Sequence, residues 1–316
     1  MAKLDKERLF ARIGYEPHEG QLFVHRSNAK RRVVACGVRW GKTTVAVHEA
    51  LAALLSPTAP SRGWVVSPSF ATTNLIVEQV FDLLKKRFPH RIIELNERRR
   101  FAAIENLAGH RAEVWAKSAH RPAALLGESL DWVILDEAAR MKSEVWNEHL
   151  SQRLVDRDGW ALIASTPWRN DDWFHDEFKR GQGGEPGYAS WTGPTTQNPR
   201  ISASVVDAEK ARHPPEVFFR EYGGEFVPDS GRICPTCRWG EIDTPQILTE
   251  DDWMKCTTCA DCGRPIDAEG KPVGMLRFDG VVTVQVYGRA GDYPEVRYHM
   301  DPVLAAGVEA GETSTQ

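Results

Sequence analysis

The sequence predicts an α/β domain in which helices flank a mainly parallel sheet, followed by a small cysteine-rich β unit. Apolar segments of strand length alternate with longer helical segments through the first 230 residues, a pattern typical of a three-layer α/β domain. Five of the six cysteines come after residue 230, where this alternation stops. These observations predict a first domain at 1–230, a second unit at 231–303 and a disordered tail at 304–316.

The predicted elements follow one another in an order that suits parallel strand pairing. Strands are predicted at 32–36, 63–67, 111–116, 131–136, 160–164 and 187–192. Helices are predicted between most of them, at 45–55, 71–87 and 143–154. In the second unit, apolar segments at 275–278 and 281–287 flank an Asp-Gly pair, which predicts a β-hairpin.

The first predicted strand leads into the loop CGVRWGKTT, residues 36–44, which ends where a helix begins. A strand, a tight loop ending in Gly-Lys-Thr and a helix form the architecture that cradles a nucleoside triphosphate, with backbone N–H groups and a lysine on the phosphates. Cys36 occupies the position of the usual first glycine, and Gly37 comes one place later. The loop therefore predicts a deviant P-loop in a RecA-like NTPase fold. Its predicted ligands for ATP are Gly37, Gly41, Lys42, Thr43 and Thr44, with Thr43 also on Mg²⁺.

An acidic pair, Asp136 and Glu137, ends the most apolar of the predicted strands. Ligands of parallel α/β sheets bind at the carboxyl ends of the strands, so these acids are expected beside the loop. Asp136 is predicted to hold Mg²⁺, and Glu137 to orient and polarise the attacking water. The alternative is a solvated turn at a strand end, and the P-loop earlier in the chain favours the functional interpretation.

Two further segments bear on nucleotide chemistry. Ser165, Thr166 and Pro167 end another predicted strand, where a polar step of this kind senses the γ-phosphate in nucleic-acid translocases. The alternative is an ordinary strand-to-loop turn. Gln21, ahead of the first strand, is predicted to read the adenine edge, as in helicase-type ATPases, and the alternative is an exposed amphipathic segment.

Taken together and in this order, the motifs resemble the ATPase half of tailed-phage terminase large subunits, which pump DNA into a procapsid. The matching segments are Pro17–Gln21, the loop at 36–44, Ser118–Met141, Ser165–Pro167 with the following Trp173-Phe174, Thr195–Arg200 and Glu221–Val227. The resemblance implies a Mg²⁺-dependent ATPase in which Arg39 is the loop arginine of the motor, Lys42 and Glu137 are catalytic, and 165–167 couples hydrolysis to movement. It also implies double-stranded DNA, a portal protein and a small terminase subunit as partners, a homo-oligomeric ring, and a location in the host cytoplasm.

The sequence departs from this family in two places. Relatives often carry Arg-Gly about nine residues before the acidic pair, and Leu126-Gly127 stands there instead. The arginine that acts on a neighbouring subunit is therefore unassigned, with Arg121 and Arg140 the nearest candidates. Relatives also continue into an RNase-H-like nuclease that needs more chain than follows residue 232. The expectation is that this chain has no nuclease activity and works with a separate nuclease chain.

The cysteines of the second unit have metal-ligand spacing. Cys234 and Cys237 form one CxxC pair, and Cys256, Cys259 and Cys262 offer two overlapping pairs. Two such turns complete a tetrahedral Zn²⁺ site of structural type. The predicted ligands are Cys234, Cys237, Cys259 and Cys262, because a glycine follows the last of them, with Cys256 as the alternative. Free or disulfide-bonded cysteines are the less favoured interpretation beside a cytosolic enzyme.

Charge and hydropathy exclude other classes of protein. The formal net charge of −4 argues against a protein that coats DNA, so DNA contact is expected from local basic patches at 85–87, 98–100 and 179–180. No apolar run approaches the ~20 residues of a membrane helix. Two alternative functions remain open, a helicase-like DNA-stimulated ATPase and a non-hydrolysing ATP switch with a zinc docking module.

Overall fold

The structure, a computed structural model, describes residues 4–120, 122–168 and 172–227, together with six short strands in the rest of the chain. The chain divides into two compact units, Met1–Val227 and Pro228–Gln316. Among the helices of this described part, none combines the length and the apolar character needed to cross a membrane.

The first unit is built on an eight-stranded sheet in the order β3-β4-β5-β2-β6-β7-β1-β8. Its strands are β1 Arg31–Cys36, β2 Ser61–Ser67, β3 Ile92–Asn96, β4 Phe101–Glu105, β5 Arg111–Ser118, β6 Trp132–Asp136, β7 Trp160–Ser165 and β8 Tyr188–Gly193. The strands from β5 to β8 in this order pair in parallel, and β3 and β4 add an antiparallel extension beyond β5. The prediction of a mainly parallel sheet is confirmed.

Three of these strands bring the predicted motifs to one edge of the sheet. β6, β7 and β1 are direct neighbours, with Asp136 opposite Ala164 and Ala35 opposite Ser165. The strands are parallel, so their carboxyl ends lie side by side. The loop after β1, the acids at the end of β6 and the polar step at the end of β7 therefore meet at this edge.

Helices cover both faces of the sheet. They are α1 Lys6–Ile13, α2 Glu19–Arg26, α3 Lys42–Leu55, α4 Phe70–Arg87, α5 Ser151–Arg153, α6 Trp173–Gln182, α7 Ala203–Arg212 and α8 Pro215–Phe218. Alternate residues of β1 enter different cores: Val34 packs in the cluster that contains Leu51 of α3, and Val33 in the cluster that contains Phe174 of α6. A parallel strand buried on both faces has this continuous apolar sequence.

A buried charge cluster attaches the two N-terminal helices to α3. Glu49 of α3 accepts hydrogen bonds from Lys6 of α1 at 2.8 Å, from His25 of α2 at 2.7 Å and from Arg32 of β1 at 2.6 Å. The carboxylate is only 1% exposed. Burial opposes its ionisation, but Arg32, His25 and Lys6 together lower the pKa of Glu49 below its usual value.

The structure differs from the sequence prediction in two places. The helix predicted at 143–154 contains a π-helical segment, Val145–Leu150, that continues into the short α5. The pair β3 and β4 was not predicted, because β3 is a half-exposed edge strand with no alternating apolar pattern and a charged turn follows it.

In the second unit the described residues are the strands β9 Gln246–Leu248, β10 Thr257–Thr258, β11 Pro265–Ile266, β12 Val273–Phe278, β13 Val282–Gln285 and β14 Val296–Tyr298. Four form a sheet in the order β14-β13-β12-β9, and β10 pairs with β11. β12 and β13 are antiparallel, with Phe278 opposite Val282, where the sequence predicts a hairpin. The predicted zinc ligands, Cys234, Cys237, Cys256, Cys259 and Cys262, lie outside the described residues.

Candidate nucleotide-binding and catalytic site

The ammonium group of Lys42 lies at the centre of the site. Lys42 is the first residue of α3, and its Nζ donates to the carbonyl oxygens of Cys36 at 2.7 Å and Gly37 at 2.9 Å. It donates a third hydrogen bond to the hydroxyl of Thr166 at 2.9 Å. Burial lowers the pKa of Lys42, and the carboxylates of Asp136, Glu137 and Glu221 oppose that shift. The lysine is therefore close to three acids and to the end of β7.

The loop before Lys42 is held in a conformation with two left-handed residues. Gly41 has φ of 106°, and a Cβ there would lie 2.4 Å from the side-chain nitrogen of Gln21. Arg39 has φ of 60°, although it is not a glycine, and its side chain is exposed. Left-handed backbone at a non-glycine residue is uncommon and is found preferentially where structure is held for function. Thr43 and Thr44 follow in the half-buried first turn of α3.

Segments far along the chain hold this loop from outside. The backbone N–H of Val38 donates to the carbonyl of Glu221 at 2.6 Å, and the hydroxyl of Thr195 donates to the carbonyl of Val38 at 2.7 Å. The side-chain amide of Asn198 donates to the carbonyl of Arg39 at 2.6 Å. Sequence reasoning assigned no role to these residues, and the only signal that pointed to them was their place in the resembling segments at 195–200 and 221–227.

Gln21 lies directly against the loop. Its side-chain oxygen accepts from the backbone N–H of His18 at 3.1 Å, and its side-chain nitrogen donates to the carbonyl of Gly41 at 3.2 Å. The residue is 5% exposed. Gln21 thus holds the loop in this structure, and recognition of adenine by the same side chain stays a prediction.

Asp136 and Glu137 differ sharply in environment. Asp136 is 4% exposed, and its Oδ1 has no hydrogen-bond partner among the described residues. Burial and the neighbouring Glu137 raise the pKa of Asp136 to about 7, against the opposing effect of Lys42. Glu137 is half-buried, with left-handed φ of 55°, and begins the tight turn after β6. A buried carboxylate oxygen without a donor is a position that a cation can satisfy.

The polar step at the end of β7 is in direct contact with the loop lysine. Thr166 accepts the hydrogen bond from Lys42, while the hydroxyl of Ser165 is fully buried without a partner in the described residues. Pro167 follows and leads to Trp168. The structure thus brings the predicted coupling segment within one hydrogen bond of the predicted phosphate-binding lysine.

Cys36 stands at the start of the loop as a structural residue. Its side chain is fully buried, and burial raises the pKa of its thiol to about 12. A protonated, inaccessible thiol takes no part in nucleophilic chemistry. Cys36 therefore contributes its carbonyl to Lys42 and its side chain to the core.

The family is shown by a match to a family model described as "Terminase large subunit, T4likevirus-type, N-terminal", which covers residues 34–239. The chain belongs to this terminase family. The terminase large subunit of Thermus virus P23-45 is 34% identical over 254 residues, which are 72% of this chain and 52% of that protein. The chain therefore spans about half the length of the curated terminases that it matches.

Solved terminases share the fold of the first unit. The ATPase domain of the Thermus phage P74-26 large terminase superposes with a TM-score of 0.62 at 33% identity, covering 70% of this chain and 98% of that domain. The large terminase of a thermophilic bacteriophage, solved in complex with ADP, has a TM-score of 0.56 at 13% identity, covering 94% of this chain and 70% of that one. At that identity the second likeness shows the fold alone.

The two arginines that sequence reasoning considered for action on a neighbouring terminase subunit have different positions. Arg121 lies outside the described residues. Arg140 is exposed, and its guanidinium carbon lies 3.4 Å from the ring centroid of Trp168. Arg140 therefore has a close partner in its own chain.

Proposed function

We propose that this chain hydrolyses ATP with Mg²⁺ and is the motor ATPase that drives double-stranded DNA into a phage procapsid. The observation that carries the proposal is the meeting of the Lys42 ammonium, the buried Asp136 carboxylate and the Thr166 hydroxyl at one edge of a parallel sheet. Membership of the terminase family and the ATPase domain of P74-26 as a solved relative support the same activity.

The residues present fit a Mg²⁺ ion bound with ATP. Mg²⁺ prefers oxygen ligands, and Asp136 offers an unpartnered carboxylate oxygen while Thr43 offers a hydroxyl at the start of α3. Bound with ATP, Mg²⁺ would supply charge neutralisation at the β- and γ-phosphate oxygens. Ionisation of Asp136, whose pKa is raised to about 7, accompanies cation binding at neutral pH.

Each residue of the site has a defined part in the proposed reaction. Lys42 exchanges its carbonyl and hydroxyl partners for phosphate oxygens. Glu137 orients a water molecule and takes up its proton as the water oxygen attacks the γ-phosphorus. The bond from the γ-phosphorus to the bridging oxygen then breaks. Thr166 loses the hydrogen bond from Lys42 when the phosphates bind and regains it when they leave. This exchange connects the state of the nucleotide to the end of β7.

DNA contact is assigned to the basic residues at the β3–β4 end of the sheet. Lys85 near the end of α4 forms an ion pair with Glu97 at 2.6 Å, which places that helix end beside the turn that carries Arg98, Arg99 and Arg100. Lys85, Arg98 and Arg99 are exposed, and exposed basic side chains bind the phosphate backbone without sequence preference. Arg100 is half-buried and donates to Asn74 at 2.8 Å. The other proposed partners are a portal protein, a small terminase subunit and further copies of this chain in a ring, acting in the host cytoplasm, and the second unit is proposed to hold a structural Zn²⁺.

Replacing Glu137 with glutamine tests the proposed hydrolysis. Glu137→Gln keeps the size of the side chain but cannot accept a proton, so phosphate release should fall by roughly 10²- to 10⁴-fold while ATP binding is kept. Lys42→Ala should weaken ATP binding as well. Phosphate release and binding of a fluorescent ATP analogue measure the two effects.

Glu144→Gln is the matched control, because Glu144 is half-buried like Glu137 and lies seven residues after it, with its side chain 41% exposed. Its turnover should equal that of the wild type. Unchanged phosphate release by Glu137→Gln would remove the proposed catalytic role, and ATP binding without hydrolysis by the wild type would instead favour a nucleotide switch.

A further inference from the structure

Two arginines lie over the ring of Trp168 beside the candidate site. The guanidinium carbon of Arg140 is 3.4 Å from its ring centroid, and that of Arg220 is 5.3 Å from it. The indole is half-buried and packs against the core on the α6 face of the sheet. A planar guanidinium over an indole face gains from both stacking and cation–π attraction. The ring is rigid, because only two side-chain torsions position it.

The two arginines come from segments that border the site on different sides. Arg140 closes the turn that begins at Glu137, and its backbone N–H donates to the Glu137 carbonyl at 3.0 Å. Arg220 precedes Glu221, whose carbonyl accepts the N–H of the loop residue Val38. One arginine from the acidic turn and one from the segment that supports the phosphate loop thus lie over the same indole.

Trp168 itself belongs to the third segment of the site. It comes two residues after Thr166, which holds Lys42 through its hydroxyl. A displacement of Thr166 relative to the loop would act on the indole through this short connection. Since Arg140 and Arg220 contact the indole, the displacement reaches the turn that carries Glu137 and the segment at 219–224.

We propose that Trp168 is a positioning residue of the ATPase site. Its ring and the guanidinium groups of Arg140 and Arg220 form a clamp through which the acidic turn, the coupling segment and the phosphate-loop support keep one geometry. The inference rests on the proposed ATP hydrolysis and goes beyond it, because none of these three residues touches the nucleotide-binding loop through its own side chain in the contacts described. It also gives Arg140 a role within its own chain rather than on a neighbouring subunit.

The test compares steady-state ATP hydrolysis by the full chain without DNA for the wild type, Trp168→Ala and Trp168→Phe. Loss of the clamp misplaces Glu137, so Trp168→Ala should lower kcat by roughly 10- to 100-fold. KM for ATP should change less than about threefold, because the lysine and loop remain. Trp168→Phe keeps an aromatic face for the arginines and should recover most of the lost kcat.

Trp115→Ala is the matched control. Trp115 on β5 is also half-buried with two cations over its ring, Arg99 and Lys117, each at 5.4 Å from the centroid. It belongs to a strand separated from β7 by β2 and β6. Its loss should cost a similar amount of stability and leave kcat near the wild-type value.

A double-mutant cycle separates action within the chain from action on a neighbour. Arg140→Ala changes an exposed side chain without disturbing the core, so it also tests the clamp if Trp168→Ala does not fold. Within one clamp, Arg140→Ala and Trp168→Ala should lower kcat by less together than the product of their separate effects. A double mutant whose kcat loss equals the product of the two single losses would overturn this inference while the proposed function stands. An equal kcat loss in Trp115→Ala would do the same. A wild-type protein without turnover would overturn the proposed function itself.

Discussion

His48 shows how strongly single residues around the phosphate-loop helix depend on burial. Its ring stacks on Tyr15 with centroids 3.5 Å apart, and its Nδ1–H donates to the carbonyl oxygen of Thr44 at 2.8 Å. Burial lowers the pKa of His48 to about 4, against the opposing effect of that hydrogen bond. The folded protein therefore keeps His48 neutral in a range where the unfolded chain protonates it.

This shift predicts a loss of stability in mild acid. The folded pKa lies below the unfolded value of about 6.5, so the unfolded state binds more protons as the pH falls below 6.5, and the contribution is lost progressively toward pH 4. Between pH 7 and pH 5 the loss attributable to His48 is on the order of 2 kcal/mol. Urea unfolding should show a smaller pH dependence for His48→Phe, which keeps the stack on Tyr15. An identical pH dependence in both proteins would contradict the assignment.

At this scale the sequence predicted side chains better than backbone contacts. The grouping of Lys42, Asp136 and Thr166 was predictable, because their residue types and their positions next to strand ends indicate phosphate and metal chemistry. The structure brings the three residues together. The carbonyl of Glu221, which holds the loop, has no such signal, because every residue carries a carbonyl and only the fold decides which one is used. The clamp around Trp168 was missed for the same reason, since its arginines are separated by about 80 residues.

At the scale of elements, the attachment of α1 and α2 to α3 depends on one buried carboxylate. Glu49 faces Lys6, His25 and Arg32, each from a different element. Removing one partner from a buried cluster is costly because the remaining charges lose their compensation without regaining water. The N-terminal helices are therefore held to the core by charge as well as by the apolar residues of α1.

Glu49→Gln should destabilise the first unit by roughly 3–5 kcal/mol. The matched control is Glu7→Gln, which breaks the ion pair with Arg26 at 2.7 Å between side chains that are both more than half exposed. Exposed pairs of this kind contribute little to stability. Chemical denaturation of both variants at pH 7 measures the difference, and equal losses would show that the buried cluster adds nothing beyond a surface pair.

The elements themselves were predictable where strands are buried on both faces. β1, β6 and β7 have continuous apolar sequences and were predicted to within two residues, since central parallel strands carry that pattern. β3 was missed because an edge strand with exposed residues lacks this pattern. β4 is buried and apolar over four residues, but so short an apolar run does not by itself distinguish a strand from other structure. The π-helical turn at Val145–Leu150 was predicted as an ordinary helix, because its apolar spacing does not distinguish the two hydrogen-bond patterns.

At the scale of the whole molecule, each unit is expected to depend on different interactions. The first unit has its own two apolar cores on either side of the sheet. The second unit contains the five cysteines whose spacing predicts a structural zinc site. Removal of metal should therefore act on one unit and leave the other folded.

Elemental analysis of the purified chain should find about one zinc ion per molecule. Chelation should release it and make the four ligand thiols reactive in addition to the fifth cysteine of that unit, while Cys36 stays unreactive until the first unit unfolds. Thermal melting of the first unit, followed through its tryptophans, should be unchanged by the chelator. Absence of zinc, or rapid labelling of all five of these thiols before chelation, would contradict the zinc site without affecting the ATPase proposal.

The hydrogen bonds of Lys42 also bear on how the proposed phosphate site would discriminate between anions. All three protons of the ammonium group already have acceptors, from Cys36, Gly37 and Thr166. Any anion that enters must replace these bonds, so a weak ligand such as free phosphate gains little from the exchange, whereas a triphosphate that also engages the backbone amides gains more. In the proposed cycle, the loop would regain this satisfied arrangement when products leave. In the proposed site, these hydrogen bonds would therefore favour a nucleotide over abundant cellular phosphate.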